Sequence, residues 1–391
     1  VKIIGLGAGL ANCMLGYWLI KQGHEVVLID KNSSPGGMCR TFYYEDLTYE
    51  YGPHILYTNE KEVLDFFSSF VGFVPNEFYL STQVENTILT YPPYLDEISQ
   101  LPSGNIIMQE LKNLPQDVDE TNFETFLISC VGKKAYTLFF EDFTKKFWNV
   151  HPSQLSANWA KTRELRLKTN ADKKAFSAKY QGYPAANYTE LIKVLVEKIS
   201  IIRGNIIGFD NGVILDTNKK IQGDFYINSI PIDELFNKEF GELEFAGFNL
   251  QLDVYNKNYE LPTHQTGNKT AWMYFPSQDV PYTRKCEYKT ITQKKNERTL
   301  IGTEIPMRGI KLYPFYDNVN ELRFNQYLNK TCNLDNFITL GRLGLFIYTT
   351  MGNTYMMVKE VLQLIDKWQM YTNVERRNTL LDIRKLAAKG A

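Results

Sequence analysis

The stretch VKIIGLGAGLANCMLGYWLIKQGHEVVLIDK at residues 1–31 constrains the fold more than any other part of the chain. An apolar run, a glycine turn, an amphipathic segment and a second apolar run ending in Asp30 make a strand, a turn, a helix and a second strand. Gly7 permits the tight turn. Gly9 lets the backbone approach a pyrophosphate at the N-terminus of a helix that opens at Leu10. Asp30 suits a ribose hydroxyl, with Lys31 beside it. Asn12 stands where a third glycine would allow close helix-to-strand packing, so the helix is expected slightly farther out.

Past Asp30, NSSPGGMCRTF brings Gly36 and Gly37, a second stretch of backbone able to approach the same ligand. Two glycine approaches favour non-covalent FAD over a nicotinamide cofactor. Near the other end, DNFITLGRLGLFIYTTMGNTYMMVKEVLQLIDKW reads as a strand, a glycine turn with Arg342, and a long helix from about Met351 that can aim its positive end at a flavin.

Composition closes off other classes. With Lys plus Arg at 43 and Asp plus Glu at 44, there is no positive field to hold nucleic acid or an anionic membrane. Runs such as MLGYWLI fall well short of the roughly 20 residues of a spanning helix, and no signal-peptide pattern opens the chain, so a cytoplasmic protein is expected. The 5 cysteines are scattered singly and the 4 histidines lack ligand spacing, which argues against zinc and against a disulfide framework.

At 391 residues, several substructures are expected around one large fold. The expected class is α/β, with a discontinuous Rossmann-like FAD-binding domain (1–72, 185–240 and 326–391). A helical lobe (100–162) and an antiparallel sheet domain (73–99, 163–184 and 241–325) complete it. The helix at NYTELIKVLVEKIS and the strands near NIIGFD and GDFYINS go with the first. DETNFETFLISCVGKKAYTLFFEDFTKKFW repeats apolar residues at three and four positions and reads as two packed helices. EFAGFNLQLDVYNKN, NKTAWMYFP and ERTLIGTEIPM alternate as antiparallel strands, with VPYTR on a loop beside them.

YEYGPHILYTN, YQGYPAANYTELI, SIPIDELFNKEFGELEF, VPYTR and LGRLGLFIY occur in that order. Together they resemble the UDP-galactopyranose mutase family, from Val1 to about residue 370 and without the tail VERRNTLLDIRKLAAKGA. The resemblance implies ring contraction of UDP-galactopyranose to UDP-galactofuranose, a precursor of cell-surface polysaccharide. It implies reduced FAD, whose N5 bonds the sugar while UDP leaves and returns, with no net redox. An external reductant, a UDP-sugar substrate and a cytoplasmic setting follow, and a homodimer is left open.

A diphosphate that leaves and returns within one site needs fixed cations, and arginine supplies a permanent charge in a planar fork. By the resemblance Arg284 of VPYTR is one such arginine. Arg163 is the second, with Arg166 as competitor. Thr144, Tyr313 and Tyr348 match diphosphate contacts, Trp148 a sugar-side ring, and Phe143 a tyrosine that stacks on uracil. Phe176 and Tyr180 flank the sugar segment, and Arg342 matches a cofactor contact. His54 lies on a loop passing beside flavin N5 and is stiffened by Pro53; it is either a flavin contact or a structural histidine bonded to its own loop.

Asn12, Tyr57, Ala175, Leu345 and Thr350 depart from the family's usual residues, Thr350 replacing an aspartate near the flavin. These departures keep other readings open: a mutase for another UDP- or dTDP-hexopyranose, an amine-oxidase-type FAD oxidoreductase, and a binding protein without catalysis.

Overall fold

The computed structural model describes residues 1–157, 167 and 173–388. Five parallel strands run in the order Ser200–Arg203, Glu25–Asp30, Lys2–Leu6, Phe225–Asn228 and Phe337–Thr339. Their side chains, among them Ile3, Ile4, Leu28, Ile227 and Ile338, are buried, as the apolar runs of a sheet covered on both faces require. The helices Leu10–Lys21 and Met351–Leu362 pack together beside it. The central strand Lys2–Leu6 has the next strand in chain order on one side and Phe225–Asn228, which returns much later, on the other. Strand order therefore reverses at its carboxyl end, where open α/β sheets bind their ligands.

The edge strand Ser200–Arg203 corrects the sequence reading. The helix expected across NYTELIKVLVEKIS stops at Leu195, and its final residue begins a strand. Ile206–Phe209 pairs with none of the parallel strands; with Val213–Leu215 and Lys220–Ile221 it forms a small antiparallel sheet.

A seven-stranded sheet contains the three alternating segments, as Phe245–Tyr255, Thr270–Tyr274 and Thr299–Arg308. Arg284 lies at the first position of a further strand, Arg284–Glu287, rather than on the loop. The segment YQGYP is also a strand, Tyr180–Pro184, between Leu56–Thr58 and Phe73–Pro75.

The helical lobe has the two expected arms. Phe123–Val131 is capped by a reciprocal Asn122–Thr125 box, and after Gly132 a second arm runs from Lys133–Tyr136 through a π-helical turn to Asp142–Trp148. Phe139, Phe147 and Trp148 form its core with Phe315, contributed from beyond the edge strand Tyr313–Pro314.

The tail outside the resemblance is also part of the core. Helix Asn373–Ala388 packs on Asn318–Cys332, which runs across the boundary expected at 326. Its Arg384 forks onto Glu321 at 2.8 and 2.6 Å, and its buried Arg376 donates to the carbonyls of Trp368 and Cys332.

Candidate active site

The glycine turns meet at the carboxyl end of the parallel sheet. The Gly7 N–H donates to the Ile29 carbonyl at 2.8 Å, with φ at +88°. The Gly36 N–H donates to the Ala8 carbonyl at 2.6 Å, and a Cβ added at Gly37 would lie 3.2 Å from the Gly9 Cα. The two turns are thus joined edge to edge. A Cβ at Gly9 would meet nothing within 4 Å, and the helix that follows has no side-chain cap on its first turn. An open cradle over uncapped helical N–H groups suits a pyrophosphate. Asp30 Oδ2 accepts the Ala8 N–H at 2.8 Å and Oδ1 accepts the Asn32 N–H at 2.8 Å, so this carboxylate also braces the turn. Lys31 is exposed beside it and Leu10 is buried.

Asn12 is buried between the helix and the sheet. Its buried Nδ2 donates to the carbonyls of Gly7 at 2.8 Å, Leu6 at 3.2 Å and Ile227 at 3.3 Å. The room comes from the strand: a Cβ at Gly5 would sit 3.2 Å from Asn12 Nδ2 and 2.4 Å from Leu28 Cδ2. The missing third glycine is balanced by a glycine facing it.

At the far side of the same switch point, Thr350 caps the Met351–Leu362 helix, its hydroxyl accepting the Asn353 N–H at 3.1 Å. A threonine therefore keeps the capping role open to an aspartate but brings no charge. Arg342 donates to the carbonyls of Thr349 at 2.8 Å and Leu312 at 3.2 Å, with its guanidinium 4.7 Å from the Tyr348 ring centre.

Arg284 meets this group from the seven-stranded sheet. Its Nε and Nη2 donate to Glu304 at 2.9 and 2.8 Å, and Nη1 lies 3.4 Å from the Tyr274 hydroxyl. Burial works against the arginine charge, but Glu304 first, with Tyr274, Cys286 and Tyr313, together outweigh it and hold its pKa well above the usual value. Tyr313 stacks on Tyr348 at 5.4 Å between centroids, and burial raises its hydroxyl to about 12 while the nearby Arg284 works the other way.

His54 lies within the fields of both Arg284 and Arg342. Its Nδ1 is 3.1 Å from the Gly52 carbonyl, which can only accept, so Nδ1 carries the proton and Nε2 the lone pair. Burial, then Arg342, lowers its pKa to about 4, which keeps the ring neutral. His54 is thus bonded to its own loop, as the structural alternative expects, and Nε2 is left as an acceptor nitrogen. The His54 N–H donates to buried Glu50 at 3.0 Å. Glu50 also accepts from Tyr183 and Thr41, and burial raises its carboxyl to about 8.

The remaining expected residues divide. Phe143 is half-buried, stacked on Phe147 and 6.0 Å from the Tyr274 ring. Phe147 in turn meets Tyr313 edge-on at 5.2 Å, linking the helical lobe to the tyrosine stack. Thr144 and Trp148 are buried in that lobe, with the Trp148 ring against Phe147 and Phe315. Phe176 stacks on Tyr57 at 4.5 Å, and Tyr180 lies under the Lys179 ammonium. Pro53 precedes His54 in the loop that Glu50 anchors. Arg163 and Arg166 lie outside the described residues. Among the described residues, no cluster of His, Cys, Asp or Glu has the arrangement of a metal site.

Sequence reasoning missed Glu304, Glu50 and Tyr274. Glu304 had a signal, an acid between Thr303 and Ile305 in an otherwise apolar run, which calls for a buried partner.

A parallel sheet with paired glycine turns at its switch point, met by Arg284, Arg342, Tyr313 and Tyr348 from segments inserted into it, defines a dinucleotide-fold protein. A family model for UDP-galactopyranose mutase matches residues 138–348, and one for an NAD(P)-binding Rossmann-like domain matches 6–70. The chain belongs to the UDP-galactopyranose mutase family, whose enzymes are intramolecular transferases.

The chain is 25% identical to a probable UDP-galactopyranose mutase of Klebsiella pneumoniae over 94% of both chains. It is also 25% identical to the dTDP-fucopyranose mutase of Escherichia coli, over 93% of this chain and 97% of that one. Among solved structures, a reduced UDP-galactopyranose mutase superposes with a TM-score of 0.79 at 16% identity, covering 100% and 99% of the two chains. A putrescine oxidase bound to putrescine reaches 0.62 at 10% identity over 94% and 99%, a likeness of fold alone. No helix among the described residues is long and apolar enough to cross a membrane.

Proposed function

We infer that the protein interconverts UDP-galactopyranose and UDP-galactofuranose with FAD kept reduced by an external cytoplasmic reductant. The observation that carries this reading is the meeting of Arg284, Arg342, Tyr313 and Tyr348 around a neutral His54 beside the paired glycine turns. The residues present fit FAD: the Gly9 cradle and uncapped helix suit its pyrophosphate, Asp30 its ribose, and Thr350 with Met351 the helix end near its ring. Reduced FAD, when bound, supplies a nucleophilic nitrogen for the anomeric carbon and needs no net electron transfer.

The protein's own groups manage charge. A diphosphate gains negative charge as it leaves the sugar, and cations already fixed in a dry cleft stabilise that change without reorganising. Arg284 offers its Nη1 edge, because Glu304 occupies the other edge and fixes the plane. The Tyr313 hydroxyl, with its raised pKa, stays a donor across the physiological range. Phe143, stacked on Phe147 by one face, offers its other face to a base. His54 accepts a hydrogen bond at Nε2 and brings no charge of its own.

The equal identity to the dTDP-fucopyranose mutase favours a second reading, a dTDP-6-deoxyhexopyranose as substrate of the same site. Incubating dithionite-reduced protein separately with UDP-galactopyranose and dTDP-fucopyranose, then separating furanose from pyranose, decides between them. Furanose from the UDP-sugar supports the first reading; furanose from the dTDP-sugar alone supports the second.

A further inference from the structure

The hairpin loop at 275–283 joins strand Thr270–Tyr274 to Arg284–Glu287 and delivers the chain directly into Arg284. It is far longer than a two-residue turn; the Thr283 carbonyl takes the Phe275 N–H across the hairpin, while other loop carbonyls turn inward. Four of them, from Phe275, Ser277, Val280 and Tyr282, converge on Lys146 Nζ at 2.7, 2.6, 3.2 and 2.8 Å. Lys146 comes from the lobe helix Asp142–Trp148, which also carries Phe143 and Thr144.

Carbonyl dipoles aimed at one point repel one another, and a buried carbonyl without a donor is costly. An ammonium with three protons resolves both problems. The loop is otherwise tied by the Phe275 N–H to the Thr283 carbonyl at 2.9 Å, the Thr283 N–H to the Glu304 carbonyl at 3.0 Å and Gln278 to Asp142 at 3.1 Å, none of which supplies a donor to the four carbonyls around Lys146. Burial pushes the Lys146 ammonium down to about 8, while Asp142 and Asp279 favour its charge.

We propose that Lys146 is a positioning residue that uses its ammonium as a resident cation in this carbonyl ring, fixing Tyr274 and Arg284 for the nucleotide diphosphate. Tyr274 and Arg284 flank the loop and face each other across the hairpin. Phe143, on the lysine's own helix, touches Tyr274. The lysine therefore couples the lobe helix to the arginine's strand without touching substrate. This role rests on the function proposed above.

The test is UDP binding to the FAD-loaded protein. Lys146→Met keeps the apolar stem, and it is expected to weaken UDP binding about tenfold or more with FAD content and melting temperature near the parent's. In Lys146→Ala, ammonium or potassium ions enter the ring and restore binding, whereas choline at equal ionic strength does not. In an Arg284→Lys background, Lys146→Met loses most of its effect, because both act through one contact. Equal UDP affinity in parent and Lys146→Met, or recovery no better with potassium and ammonium than with choline, overturns the proposal. Hydrogen exchange over 275–287, measured without nucleotide, separates this idea from the function it rests on. Should the parent bind no UDP, faster exchange in Lys146→Met still supports the resident cation, and unchanged exchange still refutes it.

Discussion

Arg284 and Glu304 stand directly opposite each other on adjacent antiparallel strands and share two hydrogen bonds, of 2.9 and 2.8 Å. The arginine's fork is therefore divided. One edge is fixed by a nearly fully buried carboxylate, while Nη1 reaches the Tyr274 hydroxyl at 3.4 Å; in the proposed function this edge takes a phosphate oxygen.

Arg284→Ala is accordingly expected to affect folding as well as chemistry. Removing one member of a buried pair leaves an uncompensated charge, at a cost of about 3–5 kcal/mol. A charged hydrogen bond to the diphosphate is worth about 1.5–3 kcal/mol more, which corresponds to roughly a tenfold to hundredfold loss of turnover. Adding Glu304→Gln should recover most of the melting temperature and none of the turnover. Recovery of both in the double variant would remove Arg284 from the chemistry.

Glu50 gives the protein a pH dependence of stability. Its carboxyl ionises at about 8 when folded, against 4.5 when exposed. Below 4.5 both states hold the proton. Between 4.5 and 8 only the folded state does, so stability falls as the pH rises through that window and the penalty is complete above 8. Glu50→Gln should remove this loss, its oxygen accepting the His54 N–H and its amide facing Thr41 and Tyr183. Melting curves from pH 5 to 9 test it: the parent should lose more than the variant, and parallel profiles would contradict the assignment.

Gly5 and Asn12 should behave as a coupled pair. Gly5→Ala places a methyl group against Leu28 and Asn12, and overpacking of this kind costs about 1–3 kcal/mol. Asn12→Gly in that background relieves the contact with Asn12 but not the one with Leu28, so partial recovery is expected. A double-mutant cycle on thermal stability and FAD retention measures the coupling, and strict additivity would contradict it.

These pairs mark how far the sequence could be read. The first strand, the glycine turns and the Met351 helix were legible because local periodicity and turn chemistry dictate them. The partnership of Asn12 with Gly5 was within reach, since both lie in the opening unit, but it requires knowing which strand face the helix covers. Arg284 with Glu304 depends on strand register, which alternation alone does not supply. Lys146 sits among FTKKFW like any solvated helical lysine, and only the tertiary fold brings four carbonyls to it. Ser200–Arg203 was lost because its apolar residues continue a helical pattern without a break.

The most direct measurement is product analysis with dithionite-reduced protein and UDP-galactopyranose, counting UDP-galactofuranose formed against reducing equivalents consumed. The account predicts many turnovers of furanose with no stoichiometric consumption of reductant, and none with oxidised flavin. One hydride equivalent used per product, or furanose formed equally well by oxidised protein, would contradict it.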